Sequence, residues 1–282
     1  MIPQRYLFKL STTGLLLAFL LGGRATAPAE ADAPQGNDRF GLCFISAGDN
    51  LASEIRYDGA LATGAEWDRW PLYWHWVDEG GYVDPGGHHD YDTLVIQEMA
   101  HGITPIVILL GTADRRATAG SADVPPPRVR EKAFPVPGHV PAQQGEVSAA
   151  TSPPLGLYEP IFADGTDTPG PGKLINQANY WADFVHNTVE RYKPGGILAG
   201  QQGWPGSVGV RHWEVWNEPD LDQFWSGTVQ EYYRLLEVGY QSVKAADPEA
   251  TVILGALAFL GEGRLAVRLV DANRRRSGKS IL

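Results

Sequence analysis

The sequence predicts an α/β protein in which helices cover a parallel sheet. Short apolar runs, suited to strands buried on both faces, alternate five times with segments of helical periodicity. Successive strand–helix units need crossover connections, and these make neighbouring strands parallel. Periodicity leaves two architectures open, a doubly wound sheet and a (β/α)8 barrel.

Composition narrows the class of protein. The chain has 282 residues, of which 43% are hydrophobic and 20% charged, which suits a globular fold with a real core. The formal net charge of −10 argues against a nucleic-acid partner. One cysteine excludes a disulfide scaffold, and the seven histidines lack HExxH or CxxC spacing. We therefore expect neither a metal nor another cofactor.

Residues 1–31 have the pattern of a signal peptide. Arg5 and Lys9 precede a short apolar run over 15–21, and a small-residue box closes at Ala31. The run is shorter than the roughly 20 residues of a membrane span. We expect cleavage near Ala31, a secreted or periplasmic protein, and no stable membrane insertion afterwards; an uncleaved anchor is the alternative.

Five strands and the helices between them are expected in the remainder, residues 32–282. The strands are predicted at 40–46, 67–72, 104–110, 211–218 and 251–257. Five helices are expected between and after these strands. The first has an apolar pattern at Leu51, Ile55 and Leu61, and the second starts at 90–93 and stops at Gly102. The third has residues four apart from Tyr180 to Tyr192, the fourth starts with a capping box from Thr228 to Glu231, and Leu265, Leu269 and Val270 indicate a last helix more weakly.

Residues 112–172 interrupt the alternation. The segment is rich in proline and shows no sustained periodicity. Loops of this length are usually functional or disordered. We interpret it as an insertion or lid within a single barrel domain, with a loose surface loop as the alternative.

The motif WEVWNEP at residues 213–219 carries the chemistry. Asn217 and Glu218 end an apolar strand, and Pro219 breaks it. This places a carboxyl and an amide at the carboxyl edge of the sheet, where α/β folds locate their sites. Glycosidic cleavage needs a carboxylic acid that protonates the leaving oxygen and later deprotonates water. It also benefits from a donor that holds the neighbouring sugar hydroxyl.

The stretch WEVWNEPDLDQFW at 213–225 resembles retaining glycoside hydrolases of clan A, most closely family 39, with cellulase-like family 5 next. The resemblance covers roughly 38–111 and 176–260. It implies a partial (β/α)8 barrel, with Glu218 as the acid/base and Asn217 as the partner of the 2-hydroxyl. The segment 67–70 is similar to the second strand of the clan, so the resemblance implies that Arg69 points inward and holds the nucleophile.

Further residues are expected to contact the carbohydrate substrate. Trp74, His75 and Trp76 follow the second strand, and exposed tryptophan rings stack on sugars. Trp216 flanks the motif. Packing at the barrel mouth is the alternative for Trp74 and Trp76, and a simple surface charge is the alternative for Arg69. Glu214 is either an inward polar residue or half of an ion pair.

The family's nucleophile, a second Glu ending strand 7, has no counterpart in the sequence. Only 64 residues follow Glu218, whereas one βα unit takes about 30. Glu262 lacks the expected strand context. We expect the chain to be an amino-terminal portion that is inactive alone. Two functions stay open: an exported retaining β-glycosidase acting on a poly- or oligosaccharide by double displacement, and an inactive carbohydrate-binding paralogue or fragment.

Overall fold

A computed structural model describes residues 40–118 and 149–258. The strands are β1 (Gly41–Cys43), β2 (Trp67–Tyr73), β3 (Thr104–Leu110), β4 (His212–Val215) and β5 (Thr251–Leu254). The helices are α1 (Glu54–Ala62), α2 (Trp74–Gly80), α3 (Tyr91–His101), α4 (Tyr180–Tyr192), α5 (Ile197–Gln202) and α6 (Val229–Ala246).

The five strands form one parallel sheet in the order β1-β2-β3-β4-β5. A doubly wound sheet reverses its strand order part of the way along, and this sheet does not. The order is that of a partial (β/α)8 barrel, so the predicted fold class is confirmed. The pairs Tyr73–Leu110 and Leu109–Val215 set the carboxyl ends of β2, β3 and β4 at one edge.

The two faces of the sheet differ in their partners. On one face the Trp70 indole donates to Glu98 of α3 at 3.0 Å, so this face packs on the helices. On the other face, Arg69 reaches Glu214 of β4 across β3. Side chains of non-adjacent strands meet in this way on the inner face of a curved sheet.

Local signals place most helix ends correctly. Asp90 caps α3 by accepting from the Thr93 amide at 2.8 Å, and Gly102 ends it in the left-handed conformation. Thr228 and Glu231 form the expected capping box of α6.

Three expectations about helices differ from the structure. The apolar pattern assigned to α1 is wrong about its face, since Ile55 is 82% exposed whereas Tyr57 and Ala60 are buried. No helix was expected at 74–80 or at 197–202, which form α2 and α5. The helix expected near Leu265 lies outside the described residues.

Part of the 112–172 segment packs into the molecule. Leu157, Ile161 and Phe162 are buried in the main core. Arg234 of α6 donates to the carbonyl oxygens of Leu157 at 3.0 Å and Glu159 at 2.9 Å. The stretch 157–162 is therefore anchored to the core, whereas 163–172 are exposed and 119–148 lie outside the described residues.

Within residues 40–118 and 149–258, no helix has the length and apolar character needed to cross a bilayer. The proposed signal segment at 1–31 lies outside this range.

Candidate functional site

The end of β4 differs from the predicted strand. Pairing stops at Val215, and Trp216 and Glu218 have positive φ angles of 69° and 40°. Alternation therefore ends at Val215, and the expected strand through Glu218 is wrong. The left-handed conformation of Trp216 lets its ring pack on Trp181 and Trp225. Positive φ costs non-glycine residues roughly 1–2 kcal/mol, so the surrounding packing has to stabilise this turn.

A charged network links β2 to the motif. The Arg69 guanidinium binds Glu214 through two hydrogen bonds of 2.7 Å each. Its Nη2 also donates to Asn217 Oδ1 at 2.8 Å. Glu214 is 2% exposed and raises the pKa of Arg69 through this bidentate bond. Glu214 is thus both an inward polar residue and half of an ion pair, the two alternatives left open by the sequence.

The network orients the Asn217 amide. A guanidinium has only donors, so the atom facing Arg69 must be the amide oxygen. The Asn217 NH2 group therefore points away from Arg69 and is available to donate to a ligand hydroxyl. Arg69 contacts the motif itself in the described structure, whereas the family resemblance assigned it to a nucleophile.

The segment after β5 secures the same turn. The Ala256 amide donates to Glu214 Oε1 at 2.9 Å, and its carbonyl accepts from the Glu218 amide at 2.7 Å. Gly255 lies against the carbonyl oxygens of Val215 and Trp216. The sequence carried no signal for these backbone contacts.

Glu218 is half-buried, and its backbone carbonyl accepts from the Leu221 amide at 2.9 Å. Its carboxyl accepts no hydrogen bond from other described residues. Among the described residues the group is therefore unengaged, beside the oriented amide of Asn217.

The predicted sugar-contacting residues separate into two groups. Trp74 is 4% exposed and stacks on Phe184, and Trp216 is fully buried, so both belong to the core. For Trp74 the packing alternative holds, and the expected substrate contact of Trp216 is wrong because its ring is covered by other side chains. His75 and Trp76 are only partly buried and lie near Tyr73. Burial lowers the pKa of His75, which favours its neutral form.

In the part of the chain that the structure describes, no group of three or more His, Cys, Asp or Glu residues is placed to hold a metal ion.

The parallel sheet thus carries an unengaged carboxyl and an oriented amide together at its carboxyl edge. Two curated relatives share local sequence similarity with the chain. The chain is 38% identical over 81 residues to a β-xylosidase from Geobacillus stearothermophilus, covering 26% of this chain and 14% of that protein. It is 48% identical over 46 residues to a β-xylosidase from Caldicellulosiruptor saccharolyticus, covering 15% of this chain and 9% of that protein.

The coverage of these relatives is small, and the other comparisons give weaker similarity. The chain spans only a small part of the curated relatives that it matches. A glucosidase structure from Croceicoccus marinus aligns with 84% of this chain and 41% of its own, at 17% identity and a TM-score of 0.48. No family model matches the chain.

Proposed function

We propose that the protein is an exported retaining β-glycosidase, related to family 39, that hydrolyses O-glycosyl bonds of an oligo- or polysaccharide. The observation that carries the proposal is the half-buried Glu218 beside an amide whose NH2 group Arg69 directs away from itself. The site lies at the carboxyl edge of the sheet, which suits catalysis in this architecture.

Double displacement gives each residue a role. In the first step, Glu218 protonates the glycosidic oxygen while a carboxylate attacks the anomeric carbon and forms a glycosyl ester. In the second step, Glu218 accepts a proton from water, which attacks the same carbon and releases the sugar with retained configuration. Asn217 donates to the 2-hydroxyl, a bond that strengthens as positive charge develops on the ring.

The nucleophile has to be a carboxylate about 5–5.5 Å from Glu218. Glu214 does not serve, because both of its oxygens accept from Arg69 and it is 2% exposed. We propose that the nucleophile lies outside residues 40–118 and 149–258. β-Xylosides are the first substrates to test, given the two relatives.

The experiment combines labelling with mutation and uses the complete enzyme, which includes the nucleophile. A 2-deoxy-2-fluoro-β-xyloside with an activated leaving group should trap the glycosyl ester, and peptide mapping should locate it outside the described ranges. Glu218→Ala should slow hydrolysis of substrates with poor leaving groups by about 10²–10⁴-fold. Azide should restore part of the rate and yield a β-glycosyl azide.

The matched control is Glu249→Ala, which removes an exposed carboxylate and should leave the rate unchanged. Near-normal hydrolysis by Glu218→Ala would contradict the proposal. Sugar binding without turnover or labelling would instead support the inactive carbohydrate-binding protein.

A further inference from the structure

The segment that follows β1, residues 44–50, lines an open cavity of about 400 Å³, and we name this segment the β1 loop. Tyr73 and Trp76, at and just after the end of β2, also line the cavity. The cavity therefore opens at the carboxyl edge of the sheet, the edge that also carries Glu218. A shift of the β1 loop would change the shape of the molecule on this side of the site.

The β1 loop begins with a strained backbone. Phe44 has a φ angle of 61°, which is costly for a non-glycine residue. Its ring is 54% exposed, so apolar packing does little to stabilise this conformation. The Phe44 amide donates to the Arg69 carbonyl oxygen at 3.2 Å. The rest of the stabilisation has to come from polar contacts of the residues that follow.

Asp68 of β2 supplies these contacts. Its Oδ1 accepts from the Ile45 amide at 3.0 Å, and its Oδ2 accepts from the Ser46 amide at 2.9 Å. The Ser46 hydroxyl in turn accepts from the Ala52 amide at 3.0 Å. One carboxylate therefore fixes two consecutive amides directly after the strained residue, and Ser46 extends this support to the far end of the loop.

Asp68 lies on the opposite face of the sheet from the site. Successive residues of a strand point to opposite faces, and Arg69 points to the face that carries Asn217. Asp68 is fully buried, on the face where Trp70 bonds to a helix. Any effect of Asp68 on the site therefore passes through the residues that it holds.

The carboxylate of Asp68 cannot be replaced by an amide of the same shape. Burial raises the pKa of Asp68, whereas hydrogen bonds from Glu98 and from the amides of Ser46 and Ile45 lower it. A carboxylate has two acceptor oxygens for the two amides, but asparagine has one oxygen and an NH2 group. In Asp68→Asn, one backbone amide would thus face a second donor and lose its partner.

We infer that Asp68 is a positioning residue, which holds the amides of Ile45 and Ser46 and so keeps the β1 loop in the conformation that receives substrate. The inference rests on the proposed function and adds to it a residue on the other face of the sheet. If the ordered fraction of the loop falls to about 10–20%, KM rises about five- to tenfold. The kcat is kept, because the loop is ordered again once substrate is bound.

Hydrogen exchange and kinetics test the inference in the complete enzyme. Asp68→Asn should speed amide exchange in the β1 loop by about 10–100-fold, the value of one hydrogen bond to a charged group. It should raise KM for an aryl β-xyloside about five- to tenfold and change kcat by less than about twofold. Ser46→Ala removes only the bond to Ala52 and should shift exchange and KM in the same direction by less. This milder variant guards against a folding defect in Asp68→Asn.

Asp247→Asn is the matched control. Asp247 is also buried and accepts a backbone amide, that of Glu249 at 3.0 Å, but it lies just before β5 at the amino edge of the sheet. The control should lower the temperature of thermal unfolding and leave the exchange of the β1 loop and KM unchanged.

Three results would overturn the inference: unchanged exchange of the β1 loop in Asp68→Asn, a wild-type KM despite faster exchange, or an equal rise of KM in Asp247→Asn. A wild-type enzyme that hydrolyses no β-glycoside would instead contradict the proposed function, whereas unchanged exchange in Asp68→Asn contradicts this inference alone.

Discussion

Arg69 acts at the residue scale by serving two partners at once. It neutralises Glu214, which is 2% exposed, and fixes the orientation of the Asn217 amide. These two roles can be separated by mutation because only the first depends on the charge of Glu214. Lysine does not replace arginine here, since an ammonium cannot form the planar bidentate bond.

Arg69→Met should lower the free energy of unfolding by about 3–5 kcal/mol, because it leaves a buried carboxylate unpaired. Adding Glu214→Gln removes that charge and should recover most of the stability. The double variant should still have a reduced kcat/KM, since nothing then orients Asn217. Urea unfolding and β-xyloside kinetics measure the two effects. Recovery of the full rate in the double variant would show that Arg69 does not orient the amide.

A second residue-scale feature is the buried carboxyl pair Asp68 and Glu98. Burial raises the pKa of Glu98 well above its ordinary value, and the nearby Asp68 charge raises it further. Burial also raises the pKa of Asp68. Glu98 Oε1 is buried without another hydrogen-bond partner among the described residues, and the two carboxyls are close enough to interact. We infer that Glu98 is protonated at neutral pH and donates to Asp68.

The sign of the pH effect follows from the raised pKa. The fold favours protonated Glu98, so its contribution to stability is complete below the ordinary glutamate pKa and is lost as pH rises through the raised value.

Glu98→Gln imitates the protonated acid and should flatten this alkaline loss of stability. Glu98→Ala should cost about 2–4 kcal/mol at low pH, because it removes a side-chain partner of Asp68 and leaves the Trp70 indole unpaired, and this cost should shrink as pH rises. The free energy of unfolding, measured for both variants between pH 5 and about 9, tests these expectations. If it falls with pH equally in wild type and in Glu98→Gln, Glu98 is not protonated.

At the scale of elements, the carboxyl end of β5 supports the end of β4. A Cβ atom at Gly255 would lie 2.8 Å from the carbonyl oxygens of both Val215 and Trp216. Because these are backbone atoms, an alanine could be accommodated only if one strand end moved. That movement would displace Ala256, which bonds to Glu214 and to the Glu218 amide.

Gly255→Ala should therefore lower stability by about 1–3 kcal/mol and reduce kcat more than a change distant from the site. Gly200→Ala in α5 is the control, since a Cβ there meets nothing within 4 Å and alanine favours a helix. Thermal unfolding and steady-state kinetics compare the two. Equal behaviour of both variants would mean that the β5 segment does not hold the catalytic turn.

At the scale of the whole molecule, the proposal includes export. The basic start, the apolar run over 15–21 and the small residues up to Ala31 motivate it. The secreted protein should begin close after Ala31, as determined by amino-terminal sequencing or intact mass. Replacing the apolar residues of 15–21 with serine should retain the precursor inside the cell, whereas conservative leucine-to-isoleucine changes should not. A secreted chain that still begins at Met1 would contradict cleavage.

The sequence by itself determined the features that local signals encode. The strands at β2 and β3 and the ends of α3 and α6 follow from apolar runs, capping residues and a glycine within a few positions of each element. The motif at 213–219 likewise identified Glu218 and Asn217 as candidates, because a polar pair at a strand end stands out along the chain.

Only the tertiary structure decided which distant residues meet. Arg69 and Glu214 are 145 positions apart, so no periodicity could reveal their bond. The burial of Trp74 and Trp216 depends on α4, whose Phe184 and Trp181 rings pack against them. Local propensity acts over a few residues, whereas the order of the strands and the curvature of the sheet bring these side chains together.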